Sequence, residues 1–285
     1  MTTPPSWESL RDRWPNAGAS RFVEAAGLRW HVQTLGDGPA VLLLHGSGGA
    51  THSWRDVAPL LAARFAVIAP DLPGHGFTTR PPDGRLTLDG IAADLRALLD
   101  ALGVEPAGLV GHSAGGALAL RLAAMQPPRA VVGINAALVP PNALLSAFAP
   151  LAQAIAGSSI VGTLAAALAE SDFVFDSLMR STGSRIAPAQ LALYHAFARS
   201  SVHAGAVMAM FAGWNLASLD ALLPSIRTPV TLVVGDRDGW VPPSDAGRIV
   251  RRLPDARVVT LAGAGHLAHE EQPARAAEII AGALE

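Results

Sequence analysis

The sequence predicts an α/β fold: a mostly parallel sheet covered by helices on both faces, interrupted by an inserted helical segment. Short apolar runs such as AVLLLHG (40–46) and the start of AVIAPDLPGHG (66–76) alternate with segments of helical spacing. Apolar runs suit strands buried on both faces, and their alternation with helices is typical of parallel sheets. From about residue 140 to 216 helical patterns continue without a buried strand. We therefore expect a core formed by residues 1–139 and 217–285, and a helical cap at 140–216.

Each element has its own signal. Residues 21–36 alternate around an Ala-Gly pair and predict a hairpin, and residues 51–65 predict a helix with Thr51 as its N-cap. The other predicted strands are 40–46, 66–76 (ending in a glycine-rich loop), 107–113, 129–138, 229–238 and 256–266, and the other predicted helices are 87–104, 114–125, 244–253 and 272–284.

Composition excludes several chemistries. The 285 residues include no cysteine and no lysine, which excludes disulfides, thiolate nucleophiles and Schiff-base lysines. The net charge is −2 and no basic tract occurs, so we expect no nucleic-acid partner. The polar, proline-containing start lacks the apolar core of a signal peptide, and we expect a cytoplasmic protein.

Residues 130–169 carry no charge and raise the question of a membrane span. Pro140, Pro141 and Pro150 interrupt this stretch, so it predicts apolar helices rather than one spanning helix. Contact of the cap with a membrane surface stays open.

GHSAG at 111–115 matches the G-x-S-x-G pattern, with a predicted strand before it and a predicted helix after it. This context is that of a nucleophile elbow, where small flanking residues allow a sharp turn that exposes the serine. Ser113 is therefore the candidate nucleophile, with a plain turn residue as the alternative.

A serine nucleophile needs a base and an orienting acid, which follow it in the chain order serine, acid, histidine. The end of the strand at 229–238 supplies Asp236 and Asp238, and the end of the last strand supplies His266, with His269 three residues later. The oxyanion hole needs two N–H donors, which we assign to the backbone of Ser47 and Ala114.

Other interpretations of these residues are weaker. The segment with His266, His269 and Glu270 lacks the H-E-x-x-H pattern and shows no third ligand, so we expect no bound metal. The segment HGSGGAT lacks the lysine of a phosphate-binding loop, so we expect no cofactor. Two interpretations of the aromatic residues stay open: they form a wall of a hydrophobic substrate site, or they simply pack in the core. The candidate substrate-binding residues are His45, His112, Phe148, Phe211, Trp214 and Trp240.

The segments HGSGG, DLPGHGFT, GHSAGG, GDRDGWVP and GAGHLAHEEQP together resemble the α/β-hydrolase superfamily over nearly the whole chain from about Ser20. The resemblance implies the α/β-hydrolase fold with a cap, Ser113 as nucleophile, His266 as base and Asp238 as acid. It favours Asp238 over Asp236, because family members place the acid four residues before a proline, here Pro242.

SRFVEAAGLRWHVQ, INAAL, RSTGS and WNL resemble the magnesium-chelatase accessory hydrolases of bacteriochlorophyll-making bacteria. Two hypotheses follow. The first is a serine hydrolase acting on a hydrophobic small molecule, foremost an ester, with an amide or a carbon–carbon bond beside a carbonyl as less favoured targets. The second is a non-enzymatic accessory protein that holds a pigment intermediate or docks on a chelatase subunit. The oligomeric state stays open.

Overall fold

The computed structural model describes residues 5–81, 84–139 and 159–285. Its centre is an eight-stranded sheet in the order β1-β2-β4-β3-β5-β6-β7-β8. Strand β2 runs antiparallel to its neighbours β1 and β4, and every other adjacent pair is parallel. The strands are β1 Ser20–Ala25, β2 Leu28–Leu35, β3 Ala40–Leu44, β4 Ala66–Pro70, β5 Gly108–His112, β6 Ala130–Ile134, β7 Val230–Gly235 and β8 Ala256–Leu261.

Helices cover both faces of the sheet and bury its apolar side chains in two large clusters. The short first helix is α1 Trp7–Leu10. One cluster joins the sheet to α3 Leu88–Leu102, α4 Ala114–Met125, α9 Ala217–Leu222 and α10 Pro243–Val250. The other joins it to α2 Val57–Ala62, α11 Ala268–Glu271 and α12 Pro273–Leu284. The predicted α/β fold with a parallel, helix-covered sheet is thus confirmed.

Between β6 and α9 the described part of the chain contains four helices and no strand: α5 Ser159–Ala169, α6 Asp172–Ser181, α7 Pro188–Ala198 and α8 Ser201–Gly213. We call these four the inserted helices. The candidate residue Phe148 and the three prolines of the uncharged stretch lie outside the described residues.

No single helix among the described residues has both the length and the hydropathy to cross a membrane. The segments Ser201–Gly213 and Ala217–Ser225, bent by 51° at their junction, satisfy the criterion only as a pair, by length and composition.

The predicted N-cap at Thr51 is wrong. Residues Thr51–Trp54 form a 3₁₀ turn and α2 begins at Val57. The Thr51 N–H instead donates to Asp71 Oδ1 at 2.6 Å, and its hydroxyl accepts from the Trp14 indole at 3.2 Å. A carboxylate twenty residues away therefore satisfies the N–H group that begins this turn.

Candidate active site

Ser113 lies in the sharp turn between β5 and α4. Its backbone is in an unusual conformation, with φ 51° and ψ −117°, which costs a side-chain-bearing residue free energy. A Cβ at Gly111 would lie 2.0 Å from Gly115 O, and one at Gly115 would lie 2.2 Å from Leu44 O. Only glycine fits at these two positions, so the turn can form against the neighbouring strand.

His266 follows β8 and is almost fully buried. Its Nδ1 lies 2.8 Å from Asp238 Oδ2, and its carbonyl oxygen accepts a 2.8 Å hydrogen bond from His112 Nε2. Because His112 directly precedes Ser113, this bond brings the loop that carries His266 (residues 262–267), which we call the histidine loop, to the serine turn. No hydrogen bond joins the Ser113 hydroxyl to His266 among the described residues, and such contacts often tighten only when substrate binds.

Asp238 receives four hydrogen bonds. Besides His266, Asn135 Nδ2 donates to its Oδ2 at 2.6 Å, and the N–H groups of Trp240 and Val241 donate to its Oδ1 at 2.8 and 2.9 Å. Burial raises the pKa of Asp238, but the His266 partner and the backbone donors outweigh it and hold the pKa below its usual value. The carboxylate therefore stays ionised beside the imidazole at neutral pH.

Asp236 and His269, the alternatives in the sequence, lie elsewhere. Asp236 accepts from Gly263 N at 2.7 Å on an exposed surface, and so joins the loops after β7 and β8. His269 Nε2 lies 3.0 Å from Ser53 Oγ in a buried cluster.

The proposed oxyanion donors lie on either side of the serine turn. Ala114 begins α4, and Ser47 lies in the loop after β3, which we call the oxyanion loop (residues 45–49). This loop packs tightly on the serine turn, since a Cβ at Gly46 would lie 3.0 Å from Ser113 Cβ. Neither the Ser47 nor the Ala114 N–H has an acceptor among the described residues.

Two of the candidate substrate-binding residues, His45 and His112, hydrogen-bond to the protein backbone instead. Both nitrogens of the buried His45 ring are used: Nδ1 donates to Gly46 O at 2.8 Å, and Nε2 accepts from Leu72 N at 2.9 Å. His112 is buried and bound to the His266 carbonyl, and burial lowers its pKa to about 3, so its ring is neutral. The geometry therefore argues against substrate contact by either ring and makes both positioning residues.

The aromatic candidates differ from one another. The Trp240 ring, 41% exposed, lies 5.2 Å from the His266 ring. Phe211 on α8 is 60% exposed, whereas Trp214 is half-buried and packs against the core cluster beside α3 and α4. Trp240 is thus the aromatic side chain best placed to contact a bound molecule, and Trp214 is a packing residue.

Sequence reasoning missed the loop that ends α6. This segment, Ser181–Ser184, which we call the strap, contacts both the loop that carries Asp238 and the loop that carries His266. Thr182 O accepts from Gly239 N at 3.2 Å and from His266 N at 2.9 Å. Ser184 Oγ accepts from Leu267 N at 2.7 Å, and Ser181 Oγ accepts from the Trp240 indole at 2.9 Å. The inserted segment thus holds the histidine loop and the loop that carries Asp238 (residues 236–242), which we call the acid loop, together.

Asn135 was missed too, although its position at the carboxyl end of β6 was a usable signal. Among the described residues, no group of three or more His, Asp or Glu could hold a metal ion. The arrangement contains a histidine–carboxylate pair, a serine in a strained turn and two unpaired N–H groups. These are the components of nucleophilic acyl transfer.

The chain belongs to the α/β hydrolase fold family, whose model matches residues 39–273. It is 38% identical over 265 residues to the magnesium-chelatase 30 kDa subunit of Rhodobacter capsulatus, covering 92% of this chain and 93% of that one. The predicted resemblance is therefore confirmed.

Two other proteins are similar to this chain. A 2-hydroxy-6-oxo-2,4-heptadienoate hydrolase of Pseudomonas putida is 43% identical over 117 residues, 40% of this chain and 42% of that one. The crystal structure of Cfl2 from Burkholderia cenocepacia superposes with a TM-score of 0.75 at 26% identity, covering 93% of this chain and 95% of that one.

Proposed function

We propose that the protein is a serine hydrolase that cleaves a hydrophobic, ester-type substrate through Ser113, His266 and Asp238. The observation that carries the proposal is the 2.8 Å contact between His266 Nδ1 and Asp238 Oδ2, in a loop bound to the residue that precedes Ser113. A carboxylate on Nδ1 leaves Nε2 as the proton acceptor for the serine hydroxyl.

The chemistry follows from these positions. Ser113 Oγ forms a bond to the ester carbonyl carbon while His266 Nε2 takes the hydroxyl proton. The negative charge moves to the carbonyl oxygen, where the Ser47 and Ala114 N–H groups stabilise it. The ester C–O bond then breaks, and His266 returns the proton to the departing alcohol. Water attacks the acyl-enzyme by the same route and releases the acid.

A hydrophobic substrate is supported by the surface of the inserted helices. Ile160, Leu164 and Leu168 form an exposed apolar stripe at every fourth position of α5. Phe173 on α6 and Phe211 on α8 are exposed too. Exposed apolar patches of this kind mark contacts with ligands, membranes or partner proteins. The proposal includes a cytoplasmic location and leaves contact with a membrane surface to be tested.

The similarity to a magnesium-chelatase subunit suggests the pathway. We propose an ester side chain of a magnesium porphyrin, in bacteriochlorophyll biosynthesis, as the first substrate to test. The Pseudomonas relative is named as a hydrolase of a 2-hydroxy-6-oxo-dienoate, so cleavage of a carbon–carbon bond beside a carbonyl is the first alternative reaction.

The decisive test is labelling by a fluorophosphonate probe, which modifies only an activated serine. We expect label on the intact protein and none on Ser113→Ala. A matched control, Ser177→Ala on the surface of α6, should label like the intact protein. An intact protein that stays unlabelled would overturn the proposal.

The second candidate is an accessory protein without catalysis, and the 38% identity to a magnesium-chelatase subunit favours it. It would hold a magnesium porphyrin or dock on another chelatase subunit. Absence of label, together with binding of a magnesium porphyrin that Ser113→Ala leaves intact, would support this candidate.

A further inference from the structure

A histidine from inserted helix α8 contacts the oxyanion loop. His203, 5% exposed, lies beside the Gly48 carbonyl, and its buried Nδ1 has no partner among the described residues. In the tautomer that carries its proton on Nε2, Nδ1 is free to accept a hydrogen bond. Burial lowers the pKa of His203 to about 4, so the ring is neutral at pH 7 and its Nδ1 is an unpaired acceptor.

A second unpaired acceptor lies beside the first. The ring of His75, from the loop after β4, is centred 5.0 Å from the ring of His203. Its Nδ1 lies 3.1 Å from Pro73 O, and because a carbonyl only accepts, Nδ1 carries the proton. Burial lowers the pKa of His75 well below its usual value, so Nε2 is a bare lone pair, also without a donor among the described residues.

Open space lies next to this part of the oxyanion loop. A Cβ built on Gly48, whose φ is +81°, would meet no atom within 4 Å. The buried hydroxyl of the neighbouring Ser47 has no partner among the described residues. We call Ser47, Gly48, His75 and His203 the acceptor recess. It adjoins the Ser47 N–H that we propose for the oxyanion hole.

Buried acceptors without donors are costly, so in a native protein they indicate a water molecule or a ligand. A metal ion is disfavoured, because the recess provides only two free imidazole nitrogens, and no larger cluster of ligands exists among the described residues. What the two lone pairs require is a hydrogen-bond donor.

We propose that the acyl half of the substrate carries a hydroxyl or N–H group that donates to His203 Nδ1 and His75 Nε2 while its carbonyl oxygen occupies the oxyanion hole. This inference rests on the proposed hydrolase function and specifies its substrate class. A site built to accept a substrate hydrogen bond discriminates against an analogue that lacks the donor.

The test compares matched esters. The 4-methylumbelliferyl esters of 2-hydroxybutyric and 3-hydroxybutyric acid are each compared with their O-methyl ethers, which lack the donor. Every kcat/KM is divided by that ester's uncatalysed hydroxide rate. We expect the intact protein to favour at least one hydroxy ester over its ether by about tenfold. His203→Phe and His75→Phe should each bring this ratio close to one.

His52→Phe is the matched control. Both nitrogens of the buried His52 ring also lack partners among the described residues, but this ring packs against Trp14 and Tyr194. The variant should therefore keep the ratio of the intact protein.

The outcomes separate the two proposals. If the protein is labelled and active but its ratio is near one for both ester pairs, the proposed substrate class is wrong. In that case water occupies the acceptor recess. A protein that the fluorophosphonate does not label overturns the hydrolase proposal, and this inference with it. If the histidine variants do not fold, the ratio of the intact protein still decides.

Discussion

At the scale of single residues, the candidate site depends on two strained positions at the carboxyl edge of the sheet. Ser113 and Asn135 have positive φ angles of 51° and 45°. Backbone hydrogen bonds to neighbouring strands fix both: Ser113 N donates to Ile134 O at 3.0 Å, and Asn135 N donates to Val233 O at 2.8 Å. The sheet therefore holds the serine in its turn and aims the Asn135 amide at Asp238.

The two aspartates after β7 provide the sharpest test of the acid. Asp238→Asn should lower kcat/KM by roughly 10³–10⁴, because an amide no longer stabilises the imidazolium or selects the required His266 tautomer. Steady-state hydrolysis of an aryl ester, together with the rate of fluorophosphonate labelling, measures the loss.

Asp236→Asn is the control for that substitution, since Asp236 bonds the Gly263 N–H and not a histidine. Its activity should stay within about threefold of the intact protein, the cost of a weakened surface bond. Equal losses in the two variants would show that Asp238 is not the special partner of His266.

Asp71 ties three segments together. Its carboxylate is fully buried and accepts from Thr51 N, from Phe77 N at 2.9 Å and from His31 Nδ1 at 2.8 Å. Burial raises the pKa of Asp71, but the His31 partner and these donors outweigh it and lower the pKa to about 2, from an ordinary 3.8.

This lowered pKa predicts an acid-sensitive contribution to stability. The folded value lies below the unfolded one, so the contribution is present above about pH 3.8 and is lost as pH falls towards 2. It is on the order of 2 kcal/mol. Urea unfolding between pH 2 and 6 should show a smaller loss in Asp71→Asn than in the intact protein. Asp89→Asn, on the exposed surface, should keep the full pH dependence, and equal curves for all three proteins would contradict the assignment.

At the scale of elements, the strap is the feature that joins the inserted helices to the loops that carry Asp238 and His266. A Cβ at Gly183 would lie 2.0 Å from Arg237 O, so the strap packs directly against the acid loop. The Thr182 carbonyl of the strap accepts a hydrogen bond from the His266 N–H in the histidine loop. The inserted segment is therefore part of the site's framework and more than a cover over it.

Ser184→Ala tests this role. The variant leaves the Leu267 N–H without its 2.7 Å partner and loosens the loop that carries His266. We expect kcat to fall about 3- to 20-fold with KM nearly unchanged, because the loss concerns the placement of His266, the proposed base. Ser177→Ala, which removes only a surface bond to Arg180, is the matched control.

The elements that sequence could predict are those with a local signal. The buried strands β3, β5 and β7 are continuous apolar runs, and the carboxyl ends of parallel strands lie at one edge of the sheet. The sequence therefore predicted that Ser113, Asp238 and His266, which follow strands, lie near one another. The strap was not predicted, because its key acceptor is the Thr182 carbonyl, and a backbone oxygen leaves no mark in a sequence. The predicted N-cap at Thr51 was wrong for a related reason: its backbone N–H binds Asp71, which is distant in the chain, so no local pattern indicates the contact.

At the scale of the whole molecule, a buried polar cluster ties the inserted helices to the sheet domain. Tyr194 on α7 donates to Glu270, which also pairs with Arg55, and the Tyr194 hydroxyl lies 3.0 Å from Ser53 Oγ. Burial and the Glu270 charge raise the pKa of Tyr194 well above its usual value, so its hydroxyl remains a donor throughout the neutral range. This cluster and the strap are two separate attachments of the insertion.

Tyr194→Phe should loosen the first attachment alone. Removing one donor from a buried carboxylate costs about 1–3 kcal/mol, whereas the strap contacts at Thr182 and Ser184 persist. We therefore expect faster amide hydrogen exchange in α7, with little change in β5–β7, and fluorophosphonate labelling that stays within a few-fold of the intact protein. Gln190→Ala removes two exposed hydrogen bonds, one from Gln190 to Asp56 and one from the Ala187 N–H to Gln190 at the first turn of α7, and should change exchange beyond that turn much less. If exchange in α7 is unaltered by Tyr194→Phe, the buried cluster does not hold the insertion. If labelling is abolished with the fold intact, the two attachments are not independent, and the cluster acts on the catalytic residues as well.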